Sequence, residues 1–133
     1  MKTLIVSAGL IMEGGKFLVS QRKEDSSHAL LWEFPGGKVK EGEEPREALR
    51  RELKEELDIE AEVGVIFEAV YQYYPEYPVL LLAYHCRIEK GIPKPIGCHD
   101  LRWINRNELK GLDMPPGDEY ILNRLCSSKG ESS

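Results

Sequence analysis

Three glutamates, Glu52, Glu55 and Glu56, stand at i, i+3 and i+4 within the stretch GKVKEGEEPREALRRELKEELDI that begins at Gly37 and ends at Ile59. If that stretch is helical, the three carboxylates share one face. At an effective dielectric near 20, two carboxylates about 5 Å apart repel by roughly 3 kcal/mol before screening. A divalent cation removes that penalty. Carboxylate oxygens favour the hard ions Mg2+, Mn2+ or Ca2+ over softer metals.

An acidic helical segment is by itself a common solvated surface element. Two features of this one point further. Leu49, Leu53 and Leu57 form an i+4 stripe, and at 100° per residue Glu56 falls between Glu52 and that stripe. It therefore stands at the edge of the buried face, where an unpaired carboxylate is costly. Upstream, Trp32-Glu33-Phe34-Pro35 leads into Gly36-Gly37, read here as a turn whose glycines also allow close approach to a ligand.

Other elements must position these residues. Leu4 to Met12 and Phe17 to Gln21 read as strands joined by the hairpin signal Glu13-Gly14-Gly15-Lys16. Lys23 to Ala29 reads as a loop and Leu31 to Phe34 as a short strand. The helix begins near Glu44, with Pro45 in its first turn. Val63 to Tyr73 and Val79 to Ile88 read as longer strands, and Leu101 to Ile104 as a short one. Asn105 to Leu109 suits a capped helical turn. A last helix is expected from Pro116 or Gly117 to Cys126. Residues 1–126 thus form one expected domain, and 127–133 an expected disordered tail.

Composition narrows the class. The chain has 133 residues, 41% hydrophobic and 31% charged, with a net charge of −5. That charge argues against a nucleic-acid polymer as partner, but not against a small polyanion held through a metal. Cys86, Cys98 and Cys126 are odd in number and form no CxxC pair, so reduced cytoplasmic thiols are expected. The apolar start runs into a turn and a second strand, which reads as a hairpin and not a signal peptide. No apolar run is long enough for a membrane helix.

The helical stretch resembles the box of the Nudix hydrolase family, G-x5-E-x7-R-E-U-x-E-E-x-G-U, where U is a bulky aliphatic residue. Gly37, Glu43, Arg51, Glu52, Leu53, Glu55, Glu56 and Ile59 are in register. Asp58 stands where the second glycine belongs, a helix C-cap position with positive φ that Asp tolerates better than most residues. The resemblance implies a Nudix fold, an α+β (α/β/α) sandwich with a mixed sheet between helices and a Gly-Gly loop–helix metal site. It also implies Mg2+ or Mn2+ as cofactor and phosphoanhydride hydrolysis in a nucleotide. Carried over by position, the Gly36 carbonyl and Glu56 would hold the principal metal, with Glu52 and Glu55 completing the set. Glu52 and Glu55 are the catalytic candidates, with Glu52 the candidate base. Gly37, Glu43 and Arg51 would be structural, Arg51 pairing with Glu47, Glu55 or Glu43. Family members often place a further acid in the loop before the Trp103 strand. Here that position is Gly97, with His99 or Asp100 as possible substitutes.

Leu31 to Lys38 and Asp113 to Glu119 are most similar to the MutT-like branch, whose members split nucleoside triphosphates into monophosphate and pyrophosphate. The resemblance implies substrate contacts from Arg22, Glu33, Pro35, Gly36 and Asp118; Phe34, Tyr74 and Tyr77 are of a type that can stack on a base, although aromatics at such positions more often pack in a core or rim. Asp118 stands where oxidised-guanine-specific members carry Asn. Ionised Asp only accepts hydrogen bonds, whereas Asn also donates. A helix cap is the plainer structural reading of Asp118. The expected substrates are 8-oxo-dGTP or CTP, dCTP and 5-methyl-dCTP, as nucleotide-pool sanitation. Nucleotide sugars, dinucleoside polyphosphates and a non-catalytic sensing role are the alternatives. Monomer and homodimer both remain open.

Overall fold

The computed structural model describes residues 2–132, with side chains through residue 127. Its elements run β1 (Leu4–Glu13), β2 (Lys16–Gln21), β3 (Trp32–Glu33), β4 (Gly36–Lys38), α1 (Pro45–Leu57), β5 (Glu60–Tyr73), β6 (Pro78–Lys90), β7 (Asp100–Asn105), α2 (Arg106–Leu109) and α3 (Pro116–Ser132). Gly14 and Gly15 both take positive φ, 58° and 78°, as the tight β1–β2 turn requires.

β1 organises the sheet. Its first half pairs antiparallel with β4 (Val6 opposite Lys38, Ala8 opposite Gly36), and its end pairs with β2. Along its other edge it runs parallel to β6, from Leu4 opposite Val79 to Ile11 opposite Cys86. The strand order is β3-β2-β1-β6-β5, with β4 beside β1 and β7 beside β2. The sheet is therefore mixed, as expected.

Alternation along the strands sends side chains to two cores. Ala8, Leu10, Phe17 and Val19 pack with Ile121, Leu122 and Leu125 of α3. Ile11 and Leu18 point the other way and meet Leu49, Leu53 and Leu57, the expected stripe of α1. The sheet thus lies between α1 and α3, which is the α/β/α layering.

α1 starts with Pro45 in its first turn, and the Glu44 carboxylate accepts from the backbone N–H groups of Arg46 and Glu47. It ends at Asp58, whose φ of 57° and ψ of 42° are left-handed. Asp therefore does hold the glycine position of the box. α2 carries a capping box between Asn105 and Glu108.

Two elements differ from the sequence reading. The expected Pro35-Gly36-Gly37 turn continues as strand β4, because Gly36 and Gly37 find backbone partners on β1. The last helix continues past Cys126 to Ser132, through most of the expected tail; Ser133 lies outside the described residues. Among the described residues no helix is long and apolar enough to cross a membrane.

Candidate metal and nucleotide site

A cleft of about 660 Å³ opens between α1, β4 and the start of α3, and Glu52, Glu56, Gly36 and Gly37 border it. The two glycines are needed for room, not for turning. Neither is among the positive-φ residues. A Cβ on Gly36 would overlap the Ser7 carbonyl of β1, and one on Gly37 would overlap the Glu52 carboxyl group. β4 can therefore lie flush on β1 while Glu52 lies flush on β4. The acid reaches the cleft because the strand beside it has no side chain at that point.

Arg51 sets the acids in place. Its Nε and Nη2 donate to the two oxygens of Glu43 (2.8 and 3.0 Å), a bidentate fork. Its Nη1 donates to Glu52 Oε2 and to Glu55 Oε1, both at 3.1 Å, and Nη2 also reaches the Lys38 carbonyl. Glu43 and Glu55 are thus its partners among the three expected; Glu47 pairs with Arg50 instead. The Arg51 hydrogen bonds hold the Glu43 carboxyl down at about 2. Arg51 is itself pushed up by Glu43 and, next, by Glu52.

Glu55 stands apart from the other two. Its side chain is 56% exposed, turned toward Arg51, and it does not border the cleft. As placed, no three His, Cys, Asp or Glu side chains among the described residues converge closely enough to grip an ion.

Glu56 shows the electrostatic strain expected of an acid at the edge of the buried face. Burial, then the nearby charges of Glu52 and Glu33, push its carboxyl up to about 7, with Lys23 pulling the other way. The two acids facing this part of the cleft, Glu52 and Glu56, are carboxylates that repel each other, with the Cys98 thiol also bordering it. A hard divalent cation fits that donor set and relieves the repulsion. Gly36, Glu52 and Glu56 border this part of the cleft and could hold such an ion; Glu55, turned to Arg51, does not border it.

The remaining wall carries the nucleotide candidates. Arg22 is pinned, with Nε to the Ser27 carbonyl at 2.6 Å and Nη1 to Glu33 Oε1 at 2.9 Å. Burial raises the Glu33 carboxyl, against the pull of Arg22. Asp118, 8% exposed, accepts from the Phe34 N–H at 3.1 Å. It is therefore a tie between α3 and the β3–β4 connection and not the N-cap that its position by a helix start suggested. Burial, and next the charge of Glu33, push Asp118 up to about 8. Tyr74 borders the cleft and meets His28 edge-on, with ring centroids 5.4 Å apart. Tyr77 borders it too.

Other expected contacts are placed differently. Phe34 is 2% exposed and packs in the α3-side core, so its main role is packing although it borders the cleft. Pro35 is buried away from the cleft, its carbonyl accepting from Gly9 N–H. His99 and Asp100 are absorbed into pairing with Gln21. Gly97 and Cys98 border the cleft instead, with Lys23. Lys23 had a signal in its place beside Arg22; Cys98 had none, being a lone cysteine.

Comparison with known proteins supports the same description. A NUDIX domain matches residues 1–125. The chain is 37% identical over 127 residues to a CTP pyrophosphohydrolase of Escherichia coli, covering 96% of this chain and 94% of that protein. It is 34% identical over 130 residues to an 8-oxo-dGTP diphosphatase of Haemophilus influenzae, covering 95% and 93%. The solution structure of the E. coli ORF135 protein matches with a TM-score of 0.84 at 34% identity, covering 97% of this chain and 92% of that one.

Proposed function

Because the chain belongs to the NUDIX family and is a hydrolase of phosphoanhydride bonds, we propose that it converts a nucleoside triphosphate and water to the monophosphate and pyrophosphate, using Mg2+ or Mn2+. The observation that carries this reading is one cleft bordered both by the carboxylates Glu52 and Glu56 and by the buried Asp118. The first pair suits a metal–phosphate group, the second a base edge.

When bound, the cation supplies charge neutralisation on the phosphates and an acidified, oriented water. Gly36, Glu52 and Glu56 would hold it, with Glu55 completing the set. Glu52 Oε2 is occupied by Arg51, which leaves Oε1 to take the proton of the attacking water. Lys23 and Lys38 border the same cleft and offer positive charge to the phosphate chain.

For the base, an ionised Asp118 accepts from an exocyclic amine, as on guanine or cytosine. Protonated, it donates to a ring nitrogen or carbonyl. Arg22 locks Glu33 beside it. The substrates this supports are 8-oxo-dGTP and the cytosine triphosphates CTP, dCTP and 5-methyl-dCTP, in keeping with the names of the two relatives. The role that follows is nucleotide-pool sanitation in the cytoplasm.

The test is a Mg2+-dependent screen of normal, oxidised and methylated nucleoside triphosphates that separates pyrophosphate from orthophosphate. Monophosphate plus pyrophosphate is expected, with Glu56→Gln slower by about 10²-fold or more. Orthophosphate as the first product, or hydrolysis of nucleotide sugars alone, would overturn the substrate class. A near-normal Glu56→Gln rate would overturn the metal site.

A further inference from the structure

The connection between β6 and β7 crosses the C-terminal end of α1, where helix carbonyls lack partners within the helix. Lys94 N–H donates to the Leu57 carbonyl at 3.0 Å. Ile96 and Gly97 N–H both donate to the Glu56 carbonyl, at 3.1 and 2.9 Å. The segment is thus strapped onto the residue whose carboxylate enters the cleft.

Gly97 then meets the side chain of the same residue. A Cβ built there would lie 2.9 Å from Glu56 Cδ, 3.0 Å from Oε2 and 3.2 Å from Cα, and these are its three nearest atoms. The φ of Gly97 is not positive, so the backbone does not demand glycine. What demands it is Glu56, whose carboxyl group and Cα both approach the place a Cβ would take. Gly97 and Glu56 both border the cleft, so displacement of one is felt there.

We propose that Gly97 is a positioning residue for Glu56: its N–H fixes the Glu56 main chain, and its missing side chain is the notch that seats the Glu56 carboxylate. The proposal rests on the reading of the cleft as a cation site. An alanine Cβ at position 97 forces the Glu56 carboxyl out of its present position. The carboxylate end of a glutamate is the part free to move, so it swings away while the strap keeps its hydrogen bonds. Residues that orient a metal ligand typically change metal affinity by about 10–100-fold when altered.

The experiment is Mn2+ binding to the metal-free protein without nucleotide, followed by water-proton relaxation, together with thermal melting. Gly97→Ala is expected to weaken Mn2+ binding at least about tenfold while the protein still melts cooperatively. Ile96→Ala, on the same strap but 57% exposed, should bind as the parent does. Glu56→Gln separates the two levels of the argument. If it loses Mn2+ and Gly97→Ala does not, the positioning role is overturned and the cation site stands. If Glu56→Gln binds Mn2+ normally, the cation reading itself fails. Should Gly97→Ala melt early, the Glu56→Ala background decides. There the two carboxyl contacts are gone and only the 3.2 Å approach to Glu56 Cα remains, so adding Gly97→Ala should cost clearly less melting temperature than it does in the parent. An undiminished cost would show that Gly97 serves the backbone alone and overturn the proposal.

Discussion

Arg51 grips Glu43 with two parallel hydrogen bonds, 2.8 Å from Nε and 3.0 Å from Nη2, and spends its remaining Nη1 on Glu52 and Glu55. One planar guanidinium thereby joins the loop before α1 to two acids on the helix. A lysine carries the same charge but has a single donor head that cannot reproduce the fork. Arg51→Lys should lower kcat by about 10-fold or more while the far-ultraviolet circular dichroism is unchanged. A rate within twofold of the parent would mean that charge alone suffices.

Glu43 also makes an acid-range prediction. Its folded value of about 2 lies below the ordinary 4.5, so the unfolded chain takes up this proton first as pH falls. The stabilisation is fully present above about 4.5 and is lost as pH drops toward about 2. Urea midpoints of the parent and Glu43→Gln should therefore converge on acidification through that window. Curves that stay parallel would argue against it.

Asp118 has the opposite sign. The folded protein holds this proton up to about 8, against 3.8 for an ordinary aspartic acid. Between those values the unfolded chain binds fewer protons, so this group makes stability fall as pH rises from about 4 to about 8 and then level off. In Asp118→Asn the amide oxygen still accepts from Phe34 N–H, and the side chain cannot ionise. This variant should thus gain on the parent in denaturant midpoint across that range, and a gap independent of pH would refute the assignment.

Glu52, Glu55 and Glu56 of α1 should not be equivalent. Glu52 and Glu56 border the cleft, whereas Glu55 is outside it and tied to Arg51. Turnover at saturating Mg2+ should fall by about 10²-fold or more for Glu52→Gln and Glu56→Gln. Glu55→Gln should cost about tenfold or less and act mainly through the Mg2+ concentration required. Equal losses for all three would place Glu55 as deep in the chemistry as the others.

Asp58 offers a stability test away from the cleft. It holds a left-handed C-cap and carries ion pairs to Lys54 at 2.8 Å and Lys94 at 3.7 Å. Alanine suffers the positive φ and has no carboxylate to compensate, while glycine escapes the strain. Urea midpoints should rank Asp58→Ala below both the parent and Asp58→Gly. Alanine equal to glycine would show that the left-handed cap is unimportant.

Much of the site was legible in the sequence because it is local. The i, i+3, i+4 spacing put the three acids on one side of α1, and the leucine stripe placed Glu56 at the edge of the core. The Gly14-Gly15 turn, the Asp58 cap and the Asn105 capping box likewise depend only on residues a few positions apart. What such spacing cannot say is which other strand or loop arrives alongside. Gly36 and Gly37 are glycines because β1 and Glu52 press on them, a demand made by residues distant in the chain. The same holds for Asp118, which bonds Phe34 across 84 positions, and for Gly97, seated on Glu56. A helix displays its acids by its own periodicity. Only the packed fold decides which acid turns to Arg51, which meets a glycine notch, and which buried carboxyl faces the nucleotide candidates.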